Sequence, residues 1–193
     1  MALVALGLPL VGGCLFEARD AEPPGTTGEN QIPLDDPTDV FSAIRQSLET
    51  QLAGNYDNAL SDNFVFLPLI NDEQDPIFPQ GIFDDWTKQV EKDVLQQMFG
   101  DFGTMSVSFT TSRDINQNDY VRFRAEYDLI TTDAGAPMDS TRYRAVAHID
   151  TRNESGNWRI DRWEEIEQVA APGGGFYRSW GFLRGTVREK LGG

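Results

Sequence analysis

Few side chains in this sequence are of types that act on another molecule, and their spacing narrows what each can do. His148 is the only histidine. Histidine titrates near neutral pH and is a candidate acid or base wherever it stands, but His148 shares the strand parity of Arg144 and Asp150, which sets it on a charged, outward face. No catalytic role is expected for it. Asp72, Glu73 and Asp75 offer carboxylate oxygens within one irregular stretch. They lack the alternating acids, central glycine and closing glutamate of a helix-loop-helix calcium site, so they read as a solvated acidic loop. No catalytic residue, metal site or cofactor is assigned. Tyr127 and Tyr143 fall on apolar strand faces, where a hydroxyl either meets a ligand or hydrogen-bonds within the core. Arg122, Arg124, Arg142 and Arg144 fall on the opposite faces, together with Glu126, Asp150 and Asp161. That set either pairs across strands, at roughly a few tenths of a kcal/mol per pair, or presents a partner surface, for which arginine is well suited.

Three consecutive antiparallel strands between Asp119 and Glu165 must position these groups. In the first, Val121, Phe123, Ala125, Tyr127 and Leu129 alternate with Arg122, Arg124, Glu126 and Asp128, a period of two that gives one apolar and one charged face. The second repeats this through Tyr143, Ala145, Ala147 and Ile149, with Val146 out of step; the third sets Trp158 and Ile160 against Arg159 and Asp161. Met105, Val107 and Phe109 make a further strand ahead of them. The apolar face needs cover, and the helical patterns all precede it. Val40, Phe41, Ile44, Leu48 and Leu52 lie on one face of a first helix, with Asp36 as its cap and Pro37 in its first turn. Tyr56 to Leu60 make a short turn before a short buried strand, Phe64 to Leu67. A second long helix, starting near Asp84 or Asp85, carries Trp86, Val90, Val94, Leu95, Met98 and Phe99. The expected class is α+β, with helices on one face of an antiparallel sheet.

The formal net charge is −15. Residues 1–103 hold 18 acids and 4 bases, and residues 104–193 hold 13 acids and 12 bases. Such a field repels nucleic acid, so no nucleic-acid partner is expected. Residues 2–11 form an apolar run of the length of a secretory leader's hydrophobic region, too short to span a membrane. Val11-Gly12-Gly13-Cys14 resembles the bacterial lipobox, in which small residues precede a cysteine that is acylated and becomes the new first residue. Cys14 is the only cysteine. No Lys or Arg precedes the apolar run, so the basic start of such a leader is missing, and either the true start lies upstream of Met1 or the run is a buried apolar segment. On the lipoprotein reading, residues 1–13 are the leader and the acyl chains on Cys14 anchor the chain in the cell envelope, facing the periplasm. Leu15, where enterobacterial inner-membrane lipoproteins carry Asp, favours the outer membrane. Residues 14–34, acidic and rich in Pro and Gly, read as a tether, residues 35–168 as the domain, and residues 169–193 as a glycine hinge with an aromatic tail. Trp180 and Phe182 in that tail either dock back on the domain or meet a partner.

The element order resembles the NTF2-like (SnoaL-like, cystatin-like) α+β cone, in which helices pack into the concave face of a curved sheet. Asn55-Tyr56-Asp57-Asn58-Ala59-Leu60-Ser61-Asp62-Asn63-Phe64-Val65-Phe66 is similar to the family's early helix-to-strand segment. Trp158-Arg159-Ile160-Asp161-Arg162-Trp163 resembles its last strand. The resemblance implies a cone lined by Phe109, Phe123, Tyr127, Tyr143, Trp158 and Ile160, and it implies that enzymes of the family hold Asp, His, Tyr or Arg inside. The apolar faces of the three long strands contribute no acid or imidazole. The expectation is a non-catalytic binding domain that takes an apolar small molecule or a protein partner, with a homodimer through the outer sheet face as one form. An isomerase or dehydratase would need Asp57, Asp62 or Tyr127 in the cavity, and an assembly protein would have its cone filled by side chains.

Overall fold

The computed structural model describes residues 31–192. The expected leader, Cys14 as the expected lipid site and all but the end of the expected tether lie outside the described residues. Helix α1 spans Asp39–Thr50 and buries Val40, Phe41, Ala43, Ile44 and Leu48. Asp36 supports its start by accepting from the Thr38 amide at 2.8 Å. The helix stops at Gln51, which is left-handed with φ 55°. Leu52, expected on the apolar stripe, is thereby turned out and exposed. Helix α2 (Ala53–Ala59) leads into strand β1 (Leu60–Leu67), and α3 is a single turn, Ile70–Glu73. Helix α4 runs Lys88–Asp101, capped by the Thr87 hydroxyl. It begins three to four residues later than the sequence suggests, because Asp85 takes a positive φ of 52°; Trp86 therefore enters the core from a loop.

Strands β2 (Phe102–Asn116), β3 (Tyr120–Asp133), β4 (Ala136–Glu154) and β5 (Asn157–Gln168) complete one sheet in the order β1-β5-β4-β3-β2. The last three pairings are antiparallel, as expected, and β1 joins the edge in parallel with β5. The end of the expected tether belongs to the domain. Leu34 is buried and its carbonyl accepts from the Trp158 amide at 2.7 Å. The Ile32 amide donates to Asn55 Oδ1 at 3.1 Å.

Two register shifts on β5 govern the interior. Thr151 stands opposite Ile160 and Asp150 opposite Arg162, so Asp161 is an extra residue; Ala147 stands opposite Glu165 and Val146 opposite Glu167, so Ile166 is another. A bulge of this kind reverses the parity of the residues beyond it. Trp163 and Glu165 consequently share the inward face with Trp158 and Ile160, and all four are buried.

Past β5 the chain folds back on itself. Ala170 bridges to Phe176, and the Arg144 amide donates to the Arg178 carbonyl at 2.9 Å, which extends the sheet beside β4. Helix α5 (Trp180–Lys190) then enters the space between the sheet and helices α2 and α4. Trp180, Leu183, Arg184 and Val187 are buried along it. The fit is close at Gly185, where an added Cβ would come within 2.6 Å of Phe83 Cζ and 3.0 Å of Phe78 Cζ. Gly185→Ala is expected to destabilise the chain by about 1–3 kcal/mol through overpacking, measured as a lower urea midpoint at unchanged slope.

Candidate functional site

The cone interior holds two connected groups of polar side chains, both gathered around α5. The first lies where the helix begins. Ser179 caps α5, its Oγ accepting from the Phe182 amide at 2.9 Å and donating to Asp72 Oδ2 of α3. The Trp180 amide donates to Tyr127 Oη at 2.7 Å, and that hydroxyl donates to Glu165 Oε1 at 2.6 Å. Glu165 Oε1 also accepts from the Gly181 amide at 2.9 Å. Helix starts leave backbone N–H groups without internal partners, and here a carboxylate and a phenol take them up. Close approach requires glycine at 181, since a Cβ there would stand 2.5 Å from Glu165 Oε2.

The second group lies one turn further along. Arg184, with 0% relative exposure, donates from Nε and Nη2 to Glu91 Oε1 of α4 at 3.0 and 2.7 Å. Its Nη2 also donates to Tyr56 Oη at 3.1 Å. Tyr56 Oη donates to Glu91 Oε1, and Trp86 Nε1 donates to Glu91 Oε2 at 2.8 Å. The guanidinium lies 4.3, 4.7 and 4.6 Å from the ring centroids of Phe66, Trp163 and Trp180. An aromatic cage of this kind favours a cation held away from water.

Burial sets the proton affinities. It pushes the carboxyl of Glu165 up to about 7, against the lowering effects of the Arg184 charge and the Tyr127 hydroxyl. Asp72 is raised by burial, against the Ser179 hydrogen bond. The phenols of Tyr56 and Tyr127 are raised by burial and by the neighbouring carboxylates of Glu91 and Glu165. Burial opposes the charge of Arg184, but the Glu91 carboxylate more than offsets it and raises its proton affinity. The chemistry available is that of a near-neutral carboxyl against a tyrosine, with its Oε1 occupied by the start of α5.

The expected lining is divided by this arrangement. Tyr127 alone of the six residues belongs to the polar groups. Phe109 packs against Phe41 and Trp163, and Phe123 packs against Phe41. Trp158, Ile160 and Tyr143 are buried in the sheet face. Trp180, set out as a docking or partner residue, is in the core, its ring 5.1 Å from that of Trp163 and 6.0 Å from that of Tyr127. The four outer-face arginines are each paired with an acid: Arg122 with Asp150 at 2.6 and 2.8 Å, Arg142 with Asp128 at 3.1 Å, Arg124 with Glu167, and Arg144 with Glu126. His148 lies on that face, its Nε2 3.4 Å from Asp114 Oδ2. Asp57 and Asp62 lie near Lys88, at 3.5 and 3.2 Å, outside the two inner groups.

The expectation of a cone without acids is corrected. Glu165 and Glu91 are both inside. Strict alternation through β5 sends Glu165 outward, and the Asp161 bulge overturns it. The sequence carried a trace of this in Trp163, a large aromatic at the parity of Arg159 and Asp161. A second trace was Arg184, which falls at helical spacing among Trp180, Leu183 and Val187 and so demands a buried acid.

No protein-family model matches the sequence, and no curated protein matches it. Solved structures do. A provisionally named aromatic ring hydroxylase from Novosphingobium aromaticivorans superposes with a TM-score of 0.55 at 12% identity, over 72% of this chain and 93% of that one. A provisionally named scytalone dehydratase from the same organism gives 0.54 at 8% identity, over 72% and 87%. A provisionally named calcium/calmodulin-dependent protein kinase II association domain from Xanthomonas campestris gives 0.51 at 10% identity, over 68% and 85%. Likeness at such identities carries the fold and not the activity. With helices ahead of a curved, unclosed five-stranded sheet, the chain has the NTF2-like α+β cone fold.

Proposed function

We propose that this chain is a non-catalytic interaction domain, held at a bacterial membrane by a lipid on Cys14, and that its ligand is a protein and not a small molecule in the cone. The observation that carries this reading is α5. Trp180 and Arg184 fill the ground between Tyr56, Glu91, Tyr127 and Glu165, where an apolar small molecule would otherwise sit. A plug that hydrogen-bonds the polar groups around it is a structural part of the core. The lipid anchor rests on the match of residues 11–14 to the lipobox and on Cys14 being the only cysteine.

One observation favours a second reading. Glu165, raised to about 7 and bonded to Tyr127, has the proton affinity of a general acid or base. An isomerase or dehydratase could use that pair only with α5 displaced.

Native mass spectrometry of the full chain, purified in detergent from bacterial membranes, tests both parts. The expected spectrum shows a protein free of small molecules in its cone, with a covalent lipid mass that disappears in Cys14→Ser. The same substitution should move the chain from the membrane fraction to the soluble one. A non-covalent small molecule that leaves on unfolding overturns the protein-ligand reading, and an unlipidated wild-type chain overturns the anchor.

A further inference from the structure

One of the two edges of the sheet, strand β1, borders a cleft. We propose that this edge is a docking site for an extended, basic protein segment, which adds to β1 as a sixth strand; the inference rests on the protein-ligand reading above and names the partner's chemistry. Strand β1 pairs with β5 on one side only, in the regular register Val65 to Arg162, Phe66 to Trp163 and Leu67 to Glu164. An edge strand presents unpaired N–H and C=O groups, which proteins blunt with lysine, proline or a covering element when they are not used. The half of β1 from Phe64 to Leu67 carries no charge and no proline. Val65 is 43% exposed there, and Ile70 just beyond is 58% exposed.

The cleft, about 800 Å³, runs between Val65–Ile70 and the loop Phe83–Thr87, with Glu164 to Ile166 at its end. Phe83 and Trp86 supply an apolar wall. Glu73, Asp84 and Asp85 are acids of its lining, Glu164 is there too but paired with Arg162 at 3.0 Å, and none of the lining residues is Lys or Arg. Backbone groups on an open edge, an apolar wall and the acids Glu73, Asp84 and Asp85, unpaired among the described residues, together fit a segment in which apolar and basic residues alternate. The same charge argues against two other occupants. The chain's own residues 17–30 hold four acids and one arginine, and a second copy would bring the same acids face to face.

The test uses the full chain in detergent and a labelled peptide of alternating Val and Lys, followed by fluorescence anisotropy and by hydrogen exchange. Binding is expected, with new protection of the Val65–Leu67 amides. Glu73→Lys with Asp84→Lys should weaken binding about tenfold or more by reversing two lining charges. Asp119→Lys with Asp139→Lys, in the β2–β3 turn and at the start of β4, makes the same change in net charge at residues that do not line the cleft and should leave affinity within about twofold at physiological salt. Equal losses in the two double variants overturn the proposal, because the peptide would then be sensing the field of the whole molecule. So does binding without protection of β1, or no binding at all. None of these failures bears on the lipid anchor or the filled cone, which the mass measurement tests separately.

Discussion

Arg184→Ala is expected to lower the folding free energy by about 3–5 kcal/mol, the range for breaking a buried ion pair by removing one partner. The loss is large because Glu91 stays behind at 2% relative exposure. Its Oε1 would lose both guanidinium contacts and keep only the Tyr56 hydroxyl, while Oε2 keeps Trp86. The cation also leaves the cage of Phe66, Trp163 and Trp180, which opens a void among three large rings. Domains of this size are stable by only about 5–15 kcal/mol, so much of α5 should become exchangeable. Urea unfolding reads the loss. Glu91→Leu with Arg184→Met provides the contrast. Removing both charges removes the burial penalty of both, although the Tyr56 hydroxyl and Trp86 N–H lose their acceptor at about 1–3 kcal/mol each. The double variant is therefore expected to be more stable than Arg184→Ala. A double variant less stable than the single one would show that Glu91 is not the source of the cost.

Glu165 should make the domain less stable as pH rises from about 4.5 to about 7. Its folded-state value of about 7 lies above the ordinary 4.5, so across that window the folded chain holds a proton that the unfolded chain has released. Stability then falls with rising pH and levels off above the folded value. A shift of this size corresponds to about 3 kcal/mol. Asp72, also raised by burial, acts in the same direction from a lower starting value. Asp36, Asp101 and Asp150 are lowered and work in the opposite sense, losing stability only in acid below the usual carboxylate range. Glu165→Gln keeps an oxygen for Tyr127 Oη and the Gly181 amide but cannot ionise. The variant is expected to lose most of the decline between pH 4.5 and 7 and to exceed the wild type at pH 8. Thermal unfolding at a series of pH values decides it. A variant with the same decline as the wild type would remove Glu165 as the cause.

The alternation of Val121 to Leu129 and of Tyr143 to Ile149 was enough to read two strands and their buried faces, because a sheet covered on one side leaves a period of two in the chain. Helix α1 was legible for the matching reason, a stripe at helical spacing. The site was harder to read because it depends on exceptions to those periods. One extra residue, Asp161, moves Glu165 from solvent to core. Glu91 sits among Lys88, Lys92 and Gln96 in sequence and reads as part of a polar face, yet it is buried by a helix that lies 93 residues further along. Pattern reading sees the element a residue belongs to. It does not see a late segment arriving on top. The parallel pairing of β1 with β5 escaped for the same reason, since it joins the start of the domain to its last strand.

That arrangement sets the order in which the molecule can be made. The hydrogen bond from Arg184 to Tyr56 closes a separation of 128 residues, and without α5 the buried carboxylates of Glu91 and Glu165 lose the guanidinium and the Gly181 amide that offset their burial. A chain emerging from the ribosome therefore has strands β1 to β5 before it has the helix that fills the space between them and the earlier helices. Contacts so distant in sequence slow folding, and a chain that has not reached α5 keeps its apolar surface open to chaperones. Loss of residues 180–190 would thus remove the step that closes the fold, and the shortened chain should be degraded as an incomplete one.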